Sequence, residues 1–318
     1  MKLWDEYFLA TSVEEALQRY AESDERAALV AGGTDLLIDL KEEEFTSRPQ
    51  VLIDVTSIPD LCGIEITEQT VRVGAATTHA EIISNQELRN MATALVEGCQ
   101  VIGGPQVRNV ATVGGNVAHA LPAADSTLGL IALKAEAQIA TLNESGQVGR
   151  RWAPMADLFA GPGRNTLLPN RELIVAFRFP ALRQGAASAF RRIMRPQGIA
   201  LPIMGLACMI QLDADSGRIK EARVVPGPIA PVPSRATRTE ELLTGEMPGE
   251  DLYQRAEETA FEECQPRTSK YRATADYRKR MIRHLLHHAL RAAVHRAQTG
   301  EVEVEQPFIG ERGVRPRV

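Results

Sequence analysis

The sequence predicts an α+β fold, and three observations lead to this class. Alternating or continuous apolar runs, typical of strands, occur beside segments with the period of amphipathic helices. These strands and helices are intermixed without a regular βαβ rhythm, which argues against a doubly wound parallel sheet. The last third of the chain changes from strand-like runs to helices. With 318 residues, the chain is long enough for two or three subdomains.

The first segment, residues 1–56, is predicted to be a small α/β unit. Ser12 and Glu15 form a capping box at the start of the amphipathic helix VEEALQRYAE. A strand then runs through RAALV into the glycines of VAGGTDLL, and QVLIDVTS is predicted to be a second, buried strand.

The second segment, residues 57–180, is predicted to combine two hairpins with helices. Alternating apolar residues between 64 and 73 predict the first hairpin, and a helix follows near 86–101. After the glycine segment ATVGGNVAHALPAADS, the apolar run TLGLIALKAEA is predicted to be helical. AQIATLNESGQVGRRW predicts a second hairpin that turns at 143–146, and the strand RELIVAFRFPAL closes the segment.

The third segment, residues 181–298, is predicted to be a second α+β domain. It begins with three strands, SAFRRIM, IMGLACMIQLD and IKEARVVPGPI, and continues with helices. The last helix has one apolar stripe, made of Ile282, Leu285, Leu286, Ala289, Leu290 and Ala293. Residues 299–318 have no period and are predicted to be a tail or a docking arm.

Composition and charge exclude several classes of protein. Hydrophobic residues make up 44% and charged residues 24% of the chain, as in an ordinary globular protein. The net charge is −5, and basic and acidic residues are interspersed along the chain, so nucleic acid is not expected as a partner. The N-terminus lacks a signal peptide's apolar core, and no apolar run is long enough to span a membrane. We therefore expect a cytoplasmic protein.

The cysteines do not form a metal-binding pattern. They lie dozens of residues apart without a C-x-x-C pair, at Cys62, Cys99, Cys208 and Cys264. Neither a zinc site nor a cysteine-ligated cluster is predicted, and the cysteines are expected to be small buried residues. Any cofactor of this chain is therefore expected to be organic.

Two glycine pairs, in VAGGTDLL at 30–37 and in TVGGN at 112–116, are candidates for phosphate binding. Glycine admits positive φ and lacks Cβ, so successive amides can converge on an anion. Neither motif matches the dinucleotide or P-loop fingerprint, and alone each is most often a tight turn. Each pair is predicted to follow a strand end and precedes a polar residue, Thr34 or Asn116. Together they predict two loops that clamp one pyrophosphate.

Asp125 has two interpretations that the residues alone leave equal. A carboxylate can accept hydrogen bonds from a ribose diol or an adenine amine, away from the phosphates. It can equally complement the dipole of the helix that begins with STLGLIALK.

The histidines do not form a recognisable metal site. His284, His287 and His288 lie mostly off the apolar stripe of their helix, without the acidic residue of an H-E-x-x-H motif, so a solvated or partner-facing surface is expected. His79 and His119 lie near the threonine and glycine segments and are expected to be hydrogen-bonded structural residues. No nucleophile elbow, Cys/His pair or carboxylate pair is recognisable, so any chemistry is assigned to a cofactor.

Four segments together resemble a known family. VAGGTDLL, RVGAATTHAEI, IGGPQVRNVATVGGNVAHALPAADS and KYRATADYR are similar, in order and spacing, to segments of the FAD-binding medium subunit of the molybdenum hydroxylases. This is the flavoprotein family of xanthine dehydrogenase and carbon monoxide dehydrogenase. The resemblance covers about residues 3–297. It implies a two-part FAD-binding domain of the vanillyl-alcohol-oxidase type, followed by a C-terminal α+β domain.

The resemblance also implies a set of cofactor contacts, with no catalytic residue and no metal ligand on this chain. Asp125 matches the acid that binds the adenosine end of FAD. Ile102, Ile174 and Arg191 fall at further flavin contacts, although Ile102 replaces a phenylalanine of some relatives and the Arg191 match crosses a small gap. The two loops that would hold the pyrophosphate through backbone amides comprise Val30, Ala31, Gly32, Gly33, Thr34, Asp35 and Leu36, and Thr112, Gly114, Gly115 and Asn116.

The function implied by the resemblance is electron transfer within a complex. A large subunit with molybdopterin would hydroxylate the substrate, a small subunit with 2Fe-2S clusters would relay electrons, and FAD would pass them to NAD or another acceptor. A heterotrimer that pairs into a dimer is implied. The flavin subunit of 4-hydroxybenzoyl-CoA reductase carries an additional cysteine-rich insertion for a four-iron cluster, whereas AHALPAADS continues here without cysteine.

Two other functions remain as alternatives. One is a stand-alone flavin-dependent reductase of the same fold, similar to the UDP-N-acetylenolpyruvoylglucosamine reductases, acting on its own substrate. The other is a non-enzymatic scaffold that has lost FAD, and the intact glycine motifs argue against it.

Overall fold

The structure is a computed structural model that describes residues 3–23, 26–42, 49–194, 201–269 and 272–302. The chain forms two compact units. The first comprises Met1–Asn85, Gly104–Ala124 and Lys134–Ala181, and the second comprises Gln86–Gly103, Asp125–Leu133 and Leu182–Val318. The division into four segments made above stays a prediction.

The first unit begins with a parallel sheet. Its elements are β1 (Glu6–Leu9), α1 (Val13–Glu22), β2 (Ala27–Val30), α2 (Leu36–Lys41) and β3 (Val51–Asp54), with strand order β1-β3-β2. Both strands predicted in this segment are confirmed, and so is α1, where Ser12 Oγ accepts a hydrogen bond from the amide of Glu15. Because β1, β3 and β2 run parallel, the loop that follows Val30 leaves the sheet at its carboxyl edge.

An antiparallel sheet of five strands forms the rest of this unit's β-structure, with a small hairpin beside it. The strands are β4 (Ile64–Ile66), β5 (Thr70–Gly74), β6 (Glu136–Leu142), β7 (Val148–Pro154) and β10 (Glu172–Pro180), in the order β4-β5-β10-β6-β7. The hairpin comprises β8 (Phe159–Gly161) and β9 (Arg164–Asn165). Both predicted hairpins, β4-β5 and β6-β7, are confirmed.

Short helices connect these strands. They are α3 (His79–Ser84), α6 (Pro105–Arg108) and α7 (Val113–Ala118), with 3-10 turns at Pro59–Leu61 and Met155–Leu158. The sequence pattern did not predict α2, α3, α6 or α7, because helices of four to six residues are too short to display a hydrophobic period.

The second unit packs helices on a three-stranded antiparallel sheet. The strands β11 (Ala186–Met194), β12 (Pro202–Leu212) and β13 (Ile219–Gly227) lie in chain order. The helices are α4 (Gln86–Met91), α5 (Thr93–Gln100), α8 (Asp125–Ala132), α9 (Thr237–Leu243), α10 (Glu250–Glu263) and α11 (Ala275–Thr299). The predicted strands and C-terminal helices are confirmed. All six residues of the predicted stripe on α11 are fully buried in the core.

Two predicted helices have different bounds in the structure. The helix expected near 86–101 is broken at Ala92, whose φ of −146° and ψ of 44° separate α4 from α5. The helix expected over TLGLIALKAEA ends at Ala132. Lys134 has a φ of 59°, in the left-handed region that terminates helices, and the chain enters β6 at Glu136.

Three smaller expectations are also corrected or left open. The second glycine motif does not follow a strand, since Thr112 makes only an isolated bridge with Thr78 before α7 begins. Cys62 is exposed, whereas the other three cysteines are buried as expected. Most of the predicted tail, from residue 303 onward, lies outside the described residues. No helix in the described ranges is long and apolar enough to cross a membrane.

Candidate cofactor site

An apolar cleft in the first unit brings the two glycine motifs together. It is open to solvent, and its lining is predominantly apolar. Val30 and Ala31 of the first motif line it, together with Gly114 and Gly115 of the second and with Ile174. The remaining lining residues are Leu29, Val55, Leu61, Ala75, Ala76, Ala118, Leu167 and Leu173. Three predicted parts, far apart in the sequence, therefore share one cleft.

The first glycine loop packs closely against the chain that precedes the second motif. A Cβ on Gly32 would lie 2.1 Å from the carbonyl oxygen of Val110 and 2.7 Å from the Cα of Ala111. Gly33 has a φ of 66°, in the left-handed region. Only glycine allows both this close approach and this turn, so the tertiary fold requires the pair.

The amides of this first loop remain available to a ligand. Within the described part of the chain, the backbone N–H groups of residues 32–36 donate no hydrogen bond, although the carbonyls of Gly33 and Asp35 accept from the first turn of α2. Asp35 is the N-terminal cap residue of α2, and its side chain makes no capping bond. Five consecutive open donors at a helix start form an arrangement that suits a phosphate.

In the second motif, by contrast, the backbone amides already donate hydrogen bonds within the protein. The amides of Val113 and Gly114 donate to the carbonyl oxygens of Thr77 and Ala75, at 3.0 and 2.8 Å. The next two amides, of Gly115 and Asn116, donate to Thr112 Oγ1 and Thr112 O, both at 3.0 Å. A phosphate at this motif would have to share donors that the protein already uses.

Gly114 is required by packing rather than by backbone conformation. It lies in the first turn of α7, and a Cβ there would be 2.6 Å from both the Cβ and the carbonyl oxygen of Ala75. Because Gly114 has no side chain, α7 packs directly against Ala75 at the end of β5, and no side chain projects from this position into the cleft. The sequence predicted a bare backbone here, and the structure gives its cause.

Ile174 reaches the cleft beside a β-bulge. The register of β10 against β6 shifts between Ile174 and Ala176, and Val175 has no partner in that ladder. The carbonyl oxygen of Val175 instead accepts a hydrogen bond from the amide of Ala75, at 2.9 Å. Bulges bend a strand and redirect side chains, and this one lies where β10 borders the cleft.

Asp125 lies in the second unit as the first residue of α8, and it is only 4% exposed. Its Oδ2 accepts a hydrogen bond from Nη1 of Arg192 at 2.7 Å. Burial raises the pKa of Asp125 to about 7, against the opposing effect of the nearby positive charges on Arg192 and Arg272. Asp125 thus lies in the first turn of α8 and is also held by a buried arginine, and its contact with a cofactor stays a prediction.

Arg191, the neighbouring residue, belongs to a different buried cluster. Its Nη1 donates to Oε1 of Glu97 at 3.2 Å and to the carbonyl oxygen of Phe190 at 2.9 Å. The same Glu97 oxygen accepts from Nη2 of Arg296 at 2.6 Å. The cluster joins α5, β11 and α11, and the predicted flavin contact of Arg191 stays a prediction. Ile102, half-buried in the turn after α5, likewise stays a prediction.

The histidines lie in different surroundings, and the hydrogen-bonded structural role expected of His79 and His119 stays a prediction. His79 is fully buried at the start of α3, where burial and the charge of Arg108 lower its pKa to about 4. His119 follows α7 and lies 3.8 Å from the Asp35 carboxylate, so it connects the ends of the two glycine motifs. His284 and His288 are exposed as expected, whereas His287 is half-buried and contacts Glu257 of α10 at 2.8 Å. In the part of the chain that the structure describes, no group of three His, Cys, Asp or Glu side chains is arranged to hold a metal ion.

Comparison with known proteins identifies the family. Residues 3–182 match the FAD binding domain in molybdopterin dehydrogenase, and residues 188–293 match the CO dehydrogenase flavoprotein C-terminal domain. This chain belongs to the FAD-binding subunits of the molybdopterin dehydrogenases. The family resemblance, the α+β fold and FAD as the cofactor are thereby confirmed.

Relatives of this FAD-binding subunit align over nearly their whole length. It is 31% identical to the 6-hydroxypseudooxynicotine dehydrogenase complex subunit alpha of Paenarthrobacter nicotinovorans, over 92% of this chain and 95% of the relative. It is 30% identical to a putative xanthine dehydrogenase FAD-binding subunit of Escherichia coli K12, over 91% and 95%. A solved structure of carbon monoxide dehydrogenase from Hydrogenophaga pseudoflava, which lacks the Mo-pyranopterin moiety, superposes with a TM-score of 0.84 at 30% identity, covering 93% of this chain and 99% of that one. These relatives are subunits of oxidoreductases.

The residues of this FAD-binding subunit fit the cofactor in two respects. The open amides of residues 32–36 supply donors for phosphate oxygens, and the apolar cleft supplies walls for a planar ring.

Sequence reasoning missed Arg192, although the two adjacent arginines of the predicted strand SAFRRIM indicate that one of them faces a different partner from the other. Successive residues of a strand face opposite sides, so two adjacent arginines have different partners.

Proposed function

We propose that this chain is the electron-transfer flavin subunit of a molybdenum hydroxylase complex. In this proposal, 2Fe-2S clusters on a small partner subunit deliver electrons from a molybdopterin-binding large subunit. This chain would hold the FAD through which these electrons would reach NAD or another terminal acceptor. The support is the family membership together with relatives whose names describe medium chains and FAD-binding subunits of dehydrogenases.

The observation that carries the proposal is the open amide loop at residues 32–36, which directly follows Val30 and Ala31 of the cleft lining. The five consecutive amides of residues 32–36 can bind the two phosphates without displacing any hydrogen bond among the residues that the structure describes. FAD supplies the exchange between one-electron carriers and a two-electron acceptor when it is bound. The protein's contribution is to bind the pyrophosphate and to orient the ring.

The second glycine motif contributes mainly shape in this proposal. Its amides are used within the protein, but Gly114 and Gly115 present a surface without side chains to the cleft. Ile174 supplies an apolar contact from the bulge in β10. Thr112 caps α7 and is 3% exposed, so it holds in place the first turn of α7, which forms this wall of the cleft.

Three further residues belong to the proposal through the family pattern. Asp125 would accept hydrogen bonds from the adenosine end of FAD, and Ile102 and Arg191 would be flavin contacts. Each can be tested by substitution in the full-length chain with FAD affinity as the readout.

The first experiment measures flavin in the purified full-length chain. We expect a two-banded flavin spectrum and about one FAD per chain, identified by chromatography after heat release. A chain that stays colourless after incubation with FAD would contradict the proposal and favour the scaffold alternative.

A charge placed in the first loop tests the phosphate site directly. Thr34→Glu adds a carboxylate beside the open amides, where it repels a pyrophosphate, and we expect FAD affinity to fall about tenfold or more. Among the described residues, the Thr34 hydroxyl hydrogen-bonds only to Asp35 Oδ2, so folding should be retained. The matched control is Gln69→Glu, which adds the same charge at the exposed β4-β5 turn of the same unit. Equal FAD affinity in the two variants would exclude the loop as the phosphate site.

The direction of electron flow needs a separate measurement. The complex purified through this chain is reduced with dithionite, and reoxidation of its flavin is followed with NAD⁺ and with an artificial acceptor. We expect iron and molybdenum in the complex and rapid reoxidation by a two-electron acceptor. Turnover of NADH by the isolated chain with a substrate of its own would instead support the stand-alone reductase.

A further inference from the structure

The immediate surroundings of Asp125 form a built pocket for one carboxylate. Its residues come from four separate places in the second unit, namely α5, the turn after α5, β11 and β12. A Cβ on Gly98 would lie 2.8 Å from the carbonyl oxygen of Asp125, so only glycine lets α5 approach here. On the other side, a Cβ on Gly205 would lie 3.4 Å from Oδ1 of Asp125 and 3.1 Å from the Phe190 ring.

Arg192 determines the orientation of this carboxylate. Its Nη1 donates to Asp125 Oδ2 at 2.7 Å and to the carbonyl oxygen of Val101, also at 2.7 Å. The guanidinium is 2% exposed, so it is anchored by burial as well as by these bonds. The contact to the carbonyl ties the arginine to the backbone after α5, and the contact to Oδ2 fixes the rotation of the carboxyl group.

The two carboxylate oxygens consequently have different surroundings. Oδ2 is taken by Arg192, whereas Oδ1 accepts no hydrogen bond from any residue that the structure describes. An ionised carboxylate offers about four acceptor positions. The oxygen beside Gly205 therefore keeps its acceptor positions for a donor from outside the protein, such as a ribose hydroxyl or an adenine amine.

We infer that Arg192 is a positioning residue for the cofactor: it holds Asp125 so that Oδ1 can accept hydrogen bonds from the adenosine end of FAD. The inference rests on the proposed function, since it takes FAD as the ligand. It distinguishes two adjacent arginines, because Arg191 is directed to Glu97 and Arg192 to Asp125. Arg192 itself need not touch FAD.

The test exploits the difference between FAD and FMN, which lacks the adenosine end. Apo-protein is titrated with each flavin, and affinity is measured by quenching of flavin fluorescence. For Arg192→Gln we expect FAD affinity to fall about tenfold or more, because a hydrogen bond to a charged group is lost. FMN affinity should stay within about twofold of the wild-type value. A merely structural role would weaken both flavins alike.

A matched control separates this role from the anchoring of α8. Arg223 lies on β13 of the same sheet and donates through Nη2 to the carbonyl oxygen of Ile131 near the end of α8, at 3.0 Å. It secures the same helix without contacting Asp125. Arg223→Gln should leave the ratio of FAD to FMN affinity unchanged, and a change equal to that of Arg192→Gln would overturn the inference.

A double-mutant cycle tests the route through Asp125. If Arg192 acts only by orienting this carboxyl, Arg192→Gln should have no additional effect on FAD affinity in an Asp125→Asn background. If the effects of Arg192→Gln and Asp125→Asn on the free energy of FAD binding were fully additive, the inference would be overturned. Should Arg192→Gln fail to fold, Arg192→Lys keeps the charge but loses the geometry of the guanidinium, and the same FAD-selective loss is expected. A wild-type chain that binds no FAD would contradict the proposed function itself.

Discussion

Gly114 and Gly115 are adjacent in the sequence but experience different steric environments. A Cβ on Gly114 meets backbone and Cβ atoms of Ala75 at 2.6 Å, whereas on Gly115 it meets only Oγ1 of Thr112, at 3.1 Å. The sequence predicted both as bare backbone positions. Only the packing of α7 on the end of β5 tells which of the two cannot accept a methyl group.

These two glycines give a matched prediction about stability. Gly114→Ala should lower the free energy of unfolding by about 1–3 kcal/mol, because the new methyl group is forced against Ala75. Gly115→Ala should change it by less than about 1 kcal/mol, since higher helix propensity offsets the tight contact with Thr112. Urea denaturation of both variants checks this. Equal destabilisation of the two would contradict the packing explanation.

The raised pKa of Asp125 predicts a pH dependence of stability in the FAD-free protein. A folded-state pKa of about 7 lies above the value in the unfolded chain, so the folded protein binds more protons between about pH 4 and pH 7. This stabilisation is complete below about pH 4 and is lost as the pH rises through about 7. The groups that face the carboxyl are Arg192, Arg272 and the buried thiol of Cys99.

Asp125→Asn isolates this effect, because the amide does not titrate. We expect the free energy of unfolding of the wild type, relative to that of the variant, to decline between pH 5 and pH 8. Urea titrations at several pH values measure it. A constant difference over this range would mean that Asp125 titrates normally in the folded protein.

At the scale of elements, the Glu97 cluster joins three segments that are distant in sequence. Glu97 of α5 is fully buried and receives hydrogen bonds from the amide of Phe190 at 2.7 Å and from the guanidinium groups of Arg191 and Arg296. One buried carboxylate thus accepts from two buried guanidinium groups and links α5, β11 and α11.

Removal of this charge should therefore destabilise the second unit. Glu97→Gln removes the negative charge that accepts hydrogen bonds from two buried guanidinium groups, and we expect a loss of about 3–5 kcal/mol in the free energy of unfolding. The control is Glu87→Gln at an exposed position on α4, where a change within about 0.5 kcal/mol is expected. Chemical denaturation compares the two variants, and a similar small effect at both would show that the cluster contributes little.

The elements that the sequence predicts correctly are those with a long hydrophobic pattern or with clear turn residues at their ends. Both hairpins, the three strands of the second unit and α11 follow from alternation, turn residues and one continuous stripe. The break at Ala92 and the early end of α8 at Ala132 interrupt runs that remain favourable for a helix. Local propensity by itself therefore does not fix these boundaries.

At the scale of the whole molecule, the four cysteines predict the metal content. They are separate free thiols, and burial raises the pKa of Cys208 and Cys264 to about 12, which keeps them protonated. We therefore expect the isolated chain to acquire FAD but no iron–sulfur cluster. Iron and sulfide analysis after anaerobic reconstitution checks this, and stoichiometric iron in the isolated chain would contradict it.

The sequence by itself determined the fold class, the FAD-binding family and the two glycine motifs, because these depend on local patterns and on motif order along the chain. The tertiary structure decided which backbone amides stay open, at residues 32–36 and not at 113–116, because hydrogen bonding there depends on segments distant in sequence. It also decided that Arg192 rather than Arg191 holds Asp125. Adjacent residues on a strand face opposite sides, and which side meets the acid is fixed only when the strand packs.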